Sequence, residues 1–204
     1  MNFYKDVTDK SWERKGLLED LASEPAFAAP PQKVALVFFL GVATVIFSLF
    51  TVSYFIRMEL PDWTPLAEPG LLWINTALLV LSSVLFQWSR SAIRNRQEKL
   101  VKLTVIGGGL FALAFIAGQL AAWRELSESG MFLAGNPANS FFYLLTGIHA
   151  IHLLGGLWVW SKSSLRLLSG GTSEEIRLSV ELCTLYWHFL LLVWVVMFAL
   201  LSNT

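Results

Sequence analysis

The chain has 204 residues, of which 55% are hydrophobic and only 15% are charged, with 15 basic and 15 acidic side chains. Soluble domains carry about a quarter charged residues, so this composition indicates a membrane protein. It contains no basic patch of the kind that binds nucleic acid, and its single cysteine, Cys183, excludes an internal disulfide.

Residues 1–33 have mixed charge and form a predicted cytoplasmic N-terminal arm. The arm ends in Pro30 and Pro31, which interrupt any helix that approaches the bilayer. Within the arm, residues 11–21 show weak helical amphipathicity and suit either the membrane surface or a partner subunit.

Five apolar blocks follow in residues 34–201, each close to the ~20 residues that cross a hydrocarbon core of ~30 Å. Membrane spans of this kind are helical, because every backbone amide must find its partner within its own segment. The sequence therefore predicts an all-α membrane protein with five transmembrane helices. The predicted spans are Val34–Ile56, Leu71–Ser89, Leu103–Trp123, Ser140–Trp160 and Ser179–Leu201.

The basic residues between the spans predict the orientation of the chain. Thirteen of the 15 lysines and arginines lie in the arm, in the second connection or around the fourth connection. The opposite side holds only Arg57 and Arg124. Because cytoplasmic loops are enriched in basic residues, the N-terminus is predicted to be cytoplasmic and the C-terminus outside.

The fourth and fifth spans carry the ionisable side chains of the predicted membrane interior. His149 and His152 are three residues apart and so share a helix face, and His188 lies about 15 Å from the inner end of the fifth span. Glu181 lies near the cytoplasmic end of that span. Such groups are expensive in lipid and are expected to face protein.

Three hypotheses account for these histidines. A metal or haem site is one, since histidines on facing membrane helices hold such cofactors. An interhelical hydrogen-bond cluster is the preferred one, because no carboxylate or cysteine joins the histidines at their depth. A transporter is disfavoured, since no proton relay or substrate counter-ion is evident.

The last two spans contain FFYLLTGIHAIHLLGG and YWHFLLLVW, which resemble the most distinctive segments of subunit III of the haem-copper respiratory oxidases. That family includes cytochrome c oxidase and quinol oxidase. The resemblance extends over residues 34–201 and suits the family's five-helix form. The matching positions are Phe141, Phe142, Thr146, Gly147, His149, His152, Glu181, Tyr186, Trp187, His188 and Phe189, with Asn75, Thr76, Ser82, Ser83, Gly118, Gln119 and Trp123 in the second and third spans.

The resemblance implies a non-catalytic accessory subunit of the bacterial inner membrane. Such a subunit has no cofactor of its own, stabilises the haem- and copper-bearing catalytic subunit I, contacts other oxidase subunits, binds phospholipids and supports proton uptake and turnover. The expected structural polar cluster is Thr146, His149, His152, Glu181, Tyr186, Trp187 and His188, and the expected lipid or subunit contacts are Asn75, Arg90, Arg94, Arg96, Lys99, Lys102 and Gln119. The basic residues among these contacts are equally explained by ordinary membrane topology.

The chain departs from the family pattern at three positions where the family usually has carboxylates. Here Ala43, Ala122 and Leu191 stand in their place. These departures leave open an alternative assignment, the subunit III-like accessory protein of a nitric oxide reductase. The electron donor, cytochrome c or quinol, is also left open.

Overall fold

A computed structural model describes residues 30–66, 70–170 and 173–202 of the chain, with the side chains of residues 173–175 excepted. Five helices make up the described part, and each is long and apolar enough to cross a membrane. They are α1 (Pro31–Met58), α2 (Leu71–Arg94), α3 (Glu98–Glu128), α4 (Pro137–Leu168) and α5 (Ser173–Ser202). The predicted all-α architecture with five membrane-type helices is therefore confirmed.

Each helix is longer than the span predicted for it. The third helix, for example, begins at Glu98 and ends at Glu128, whereas the apolar block covers only residues 103–123. The additional turns carry charged side chains, as expected where a helix leaves the hydrocarbon for the headgroup region. Most of the predicted N-terminal arm, including residues 11–21, lies outside the described residues.

The chain divides into two compact units, Met1–Val37 and Phe38–Thr204. Of the first unit, only the beginning of α1 is described. In the second unit, α2 packs against α3 and α5, and α4 packs against α3 and α5 as well. Each of the helices α2–α5 thus packs against two of the other three. Their polar side chains can therefore contact protein rather than lipid.

The part of α1 in the second unit buries only one narrow stripe. Ala43, Phe47 and Tyr54 are its buried residues, and their spacing places them along one side of the helix. Phe47 lies beside the two histidines of α4, and the Tyr54 ring packs edge-on against Trp63 and Phe141. The rest of this surface is mostly apolar and exposed, as suits a helix that faces lipid or another chain, and its Thr44 and Ser53 hydroxyls bond within the helix.

Small residues allow α3 to approach its neighbours closely. A Cβ atom added to Gly109 would lie 2.0 Å from Trp160 of α4, and one added to Gly118 would lie 2.0 Å from Asn75 of α2. Close backbone approach of this kind is the usual basis of helix packing in membranes, where the hydrophobic effect does not drive helices together.

Two connections are short and locally specified. The α2–α3 turn is formed by residues 95–97, and Arg96 adopts a positive φ of 56° there. At the start of α4, the Asn136 side chain accepts a hydrogen bond from the Ala138 amide and donates one to the Thr64 carbonyl, with Pro137 in the first turn.

The first connection is held by an ion pair between Arg57, at the end of α1, and Asp62. Hydrogen bonding to the Arg57 guanidinium lowers the pKa of the Asp62 carboxyl below its usual value. The Asn136 side chain, in the α3–α4 connection, donates a hydrogen bond to the Thr64 carbonyl of the first connection. The two connections therefore lie at the same end of the protein.

Candidate functional site

His149 lies at the centre of α4 and is completely buried. Its ring is surrounded by aromatic side chains from three other helices, with centroid distances of 6.4 Å to Phe47, 5.9 Å to Phe115 and 5.4 Å to Trp194. Neither ring nitrogen has a hydrogen-bond partner among the described residues. The imidazole therefore contributes aromatic packing here and no hydrogen bond between helices.

His152 lies one turn further along α4 and is half-buried. Its Nδ1 is 2.9 Å from the Ile148 carbonyl, and its ring packs between Phe39 and Phe47 of α1. The hydroxyl of Tyr186 donates a hydrogen bond of 2.8 Å to the backbone carbonyl of His152. This bond connects α5 to α4 at mid-span.

His188 belongs to the α2–α5 interface rather than to the other two histidines. Its Nδ1 lies 2.8 Å from the Thr184 carbonyl and 3.3 Å from the Ser83 hydroxyl of α2. One turn earlier, the Thr184 hydroxyl donates to the Phe86 carbonyl at 3.0 Å. These contacts connect α2 to α5 near the middle of both helices.

Glu181 forms an ion pair with Arg90 of α2, with 2.9 Å between carboxylate and guanidinium. About a third of each side chain is exposed. Arg90 was grouped in the sequence with four other basic residues near the α2–α3 turn. Among these five, Arg90 alone has an ion-pair partner in the described part of the chain, while Arg94, Arg96 and Lys99 are exposed.

Thr146 and Trp187 complete the predicted polar set at two further interfaces. The Thr146 hydroxyl accepts a 3.0 Å hydrogen bond from the Trp123 indole of α3 and donates to the Phe142 carbonyl. Trp187 is fully buried and packs against Phe86 at 4.5 Å. The seven predicted residues thus lie in separate pairwise contacts among the helices, and no single network joins them in the described structure.

Asn75 and Gln119, predicted as lipid or subunit contacts, are 0% and 2% exposed. Their side-chain amides meet between α2 and α3, with 3.4 Å from Asn75 Nδ2 to Gln119 Oε1. Their contact lies between two helices of this chain. Of the residues predicted as lipid or subunit contacts, it is the basic ones that offer exposed side chains.

Several interhelical bonds involve residues that the sequence did not single out. The Trp160 indole donates to the Val105 carbonyl at 2.8 Å, and the Trp194 indole donates to the Thr76 hydroxyl at 2.9 Å. Both tryptophans were visible in the sequence, but their rotation about the helix axis was not. A signal existed for Trp160 in the glycine run of α3, whose last member, Gly109, lies against the indole.

The described residues contain no group of three His, Cys, Asp or Glu side chains close enough to hold a metal ion. The hypothesis of one metal site on all three histidines therefore has no ligand set there. Many polar side chains of α2–α5 instead connect one helix to another, and the exposed surface is available to lipid and other chains.

We expect replacement of His149 by leucine to change the free energy of unfolding by less than about 1 kcal/mol, despite complete burial of the residue. The substitution removes a buried polar group that has no partner, which offsets the loss of ring packing. Thr146→Val, on the same helix, leaves the Trp123 indole unpaired and should cost about 1–2 kcal/mol. Thermal or denaturant unfolding in detergent would measure both. A larger loss for His149→Leu than for Thr146→Val would contradict the assignment.

Comparison with known proteins identifies the family of this chain. The family model described as cytochrome c oxidase subunit III matches residues 33–202. The chain belongs to the cytochrome c oxidase subunit III family. As a subunit III chain, it is a multi-pass membrane protein and an accessory subunit of a haem-copper oxidase, associated with the catalytic subunit.

Individual relatives agree with this membership. The chain is 31% identical to a cytochrome c oxidase subunit 3 of Synechocystis, over 80% of this chain and 71% of the relative. It is 27% identical to the quinol oxidase subunit 3 of Bacillus subtilis, over 78% of this chain and 80% of the relative. It is also 29% identical to a heme-copper oxidase subunit I+III of Aeropyrum pernix, over 75% of this chain and 20% of that longer protein.

Of the three positions where the resemblance implies a carboxylate that this sequence lacks, two are buried. Ala43 is 1% exposed and Ala122 is 0% exposed, whereas Leu191 is half-buried. A carboxylate at either alanine would need a partner inside the protein, and alanine needs none. The helices of this chain therefore pack at these positions without an internal acid.

Proposed function

We propose that this subunit III chain stabilises the haem- and copper-bearing catalytic subunit in a bacterial inner membrane, binds phospholipids and supports proton uptake and turnover. The observation that carries the proposal is the contrast between its interior and its surface. Many polar side chains of α2–α5 connect one helix to another, while broad apolar faces remain exposed on every helix. The name of the Aeropyrum relative, subunit I+III, agrees with a subunit that works beside subunit I.

The proposed orientation places the N-terminus and the α2–α3 turn in the cytoplasm and the C-terminus outside. It is supported by the basic residues in and beside that turn, which include Arg94, Arg96 and Lys99, all exposed. These side chains are positioned at one end of two adjacent helices, where they would attract anionic lipid headgroups of the cytoplasmic leaflet. Arg90 does not share this role, because its guanidinium forms an ion pair with Glu181.

A purification from native membranes tests the accessory role. The tagged chain should bring with it a haem-bearing subunit, seen as a Soret band, whereas the chain expressed alone should show none. Membranes that lack the chain should retain oxidase activity at first and lose it faster during sustained turnover. Haem bound stoichiometrically to the isolated chain would overturn the proposal, and activity with nitric oxide rather than oxygen would identify the reductase alternative.

A further inference from the structure

His188 combines two properties that conflict in a lipid environment. It lies at the midpoint of α5, and its side chain is exposed. In the described part of the chain, it is the one ionisable side chain that is exposed in the middle third of any helix. The other two histidines are buried or half-buried against aromatic rings.

The contacts of its Nδ1 atom determine which nitrogen is available. The Thr184 carbonyl, 2.8 Å away, can only accept a hydrogen bond, so Nδ1 carries the proton. The Ser83 hydroxyl lies 3.3 Å from the same nitrogen. In the neutral ring, Nε2 is then an acceptor, and the described residues of the chain provide no donor to it.

The surface around His188 is mostly apolar and comes from two helices. On α5 the exposed residues repeat every three or four positions, and on α2 a similar series lies next to Ser83, on the side of α2 that borders α5. We call this surface the α2/α5 face. It consists of Val80, Val84 and Gln87 of α2 and Leu185, His188 and Leu192 of α5.

We propose that the α2/α5 face docks a transmembrane helix of the oxidase catalytic subunit, and that this helix presents a hydrogen-bond donor to His188 Nε2 at the bilayer midplane. Hydrocarbon chains offer no donor, and an unpaired polar group at this depth is costly, so lipid does not satisfy the site. A second copy of the chain, meeting the first through His188, would set two acceptors against each other. The inference rests on the accessory role of the subunit and adds the surface through which it acts.

Photo-crosslinking in native membranes tests which face meets the catalytic subunit. A benzophenone amino acid is placed at Val84 or Leu192 on the α2/α5 face, and at Leu110 of α3 or Ile151 of α4 as matched exposed controls. Adducts are separated, stained for haem and identified by mass spectrometry. We expect an adduct with the catalytic subunit from positions 84 and 192, at least fivefold more abundant than from positions 110 and 151.

Substitution of the histidine tests the hydrogen bond itself. His188→Leu should weaken retention of the catalytic subunit during detergent washing roughly fivefold to tenfold, as expected for loss of one interhelical bond. His188→Gln, which restores an acceptor, should recover part of that retention. Leu110→Ile on the control face should leave retention unchanged. If His188→Leu does not accumulate, the crosslinks from the otherwise unaltered chain still decide the docking face.

The outcomes separate the docking face from the accessory role. Equal adducts from all four positions, or catalytic-subunit adducts from positions 110 and 151 alone, would overturn the proposed face while leaving the accessory role intact. Adducts from positions 84 and 192 that contain only lipid or a second copy of the chain would also overturn it. Purification of the unaltered chain without any haem-bearing partner would overturn the accessory role and the docking face together.

Discussion

Replacing Gly109 with alanine is expected to lower the free energy of unfolding by about 2–4 kcal/mol. The added Cβ atom would lie 2.0 Å from Trp160 Cε2 and 2.1 Å from Cζ2, so the indole ring must move. Overpacking costs about 1–3 kcal/mol, and displacement of the ring also breaks the hydrogen bond from its Nε1 to the Val105 carbonyl, worth about 1 kcal/mol. Thermal unfolding in detergent, followed by circular dichroism, measures the loss.

A matched control is available on α4, where Gly155 has no atom within 4 Å of the position that a Cβ would occupy. Gly155→Ala should leave stability unchanged or raise it slightly, since alanine favours the helix by up to ~1 kcal/mol. Combining Gly109→Ala with Trp160→Leu should lose less stability than the two single changes added together, because the smaller side chain makes room for the methyl group. Equal unfolding midpoints for Gly109→Ala and Gly155→Ala would contradict the close contact between α3 and α4.

The five helices could be predicted from the sequence because hydropathy reports directly on the length of chain that lipid can accept. The ends were harder to predict. Pro137 begins α4 before the apolar block because proline suits the first turn of a helix, and Asn136 caps it. Charged turns such as those at Glu98 and Glu128 remain helical beyond the hydrocarbon, where hydropathy no longer distinguishes helix from loop.

The partners of the polar side chains could be predicted less well. Spacing places His149 and His152 on one face of α4, but a difference of about 60° in their direction is enough to bury one ring among aromatics and turn the other towards α1. His188 lies on the side of α5 that faces α2, where its Nδ1 is 3.3 Å from the Ser83 hydroxyl. Depth follows from sequence position, whereas rotation about the helix axis follows from packing with other helices.

The pairing of Glu181 with Arg90 illustrates the same limit. Both residues were noted in the sequence, one as a polar group near the cytoplasmic face and the other as a basic residue of a loop. Their contact across α2 and α5 depends on these helices being neighbours, although they are separated by 91 positions in the chain. Without helix adjacency, hydropathy and charge patterns cannot identify such a pair.

Replacing Trp194 with alanine is expected to have the largest effect of any single change considered, a loss of about 3–5 kcal/mol in the free energy of unfolding. Trp194 is 1% exposed and packs against Phe115 at 4.8 Å, His149 at 5.4 Å and Phe198 at 6.4 Å. Removing the indole leaves a cavity bordered by residues of three helices. Lipid cannot enter such a cavity, so nothing replaces the dispersion attraction between the indole and the side chains around it.

The Trp194→Phe variant distinguishes the stability lost through the cavity from the stability lost with the hydrogen bond. Phenylalanine retains most of the ring packing but cannot donate to the Thr76 hydroxyl, which lies 2.9 Å from the indole Nε1. We expect a loss of about 1–2 kcal/mol for this variant and a similar loss for Thr76→Val, with the double variant no worse than the more damaging single change. Unfolding in detergent by the same method measures all four chains. Additive losses in the double variant would show that the bond does not connect α2 to α5. For Trp194→Ala, a loss below about 2 kcal/mol would show that the interior repacks around the missing ring.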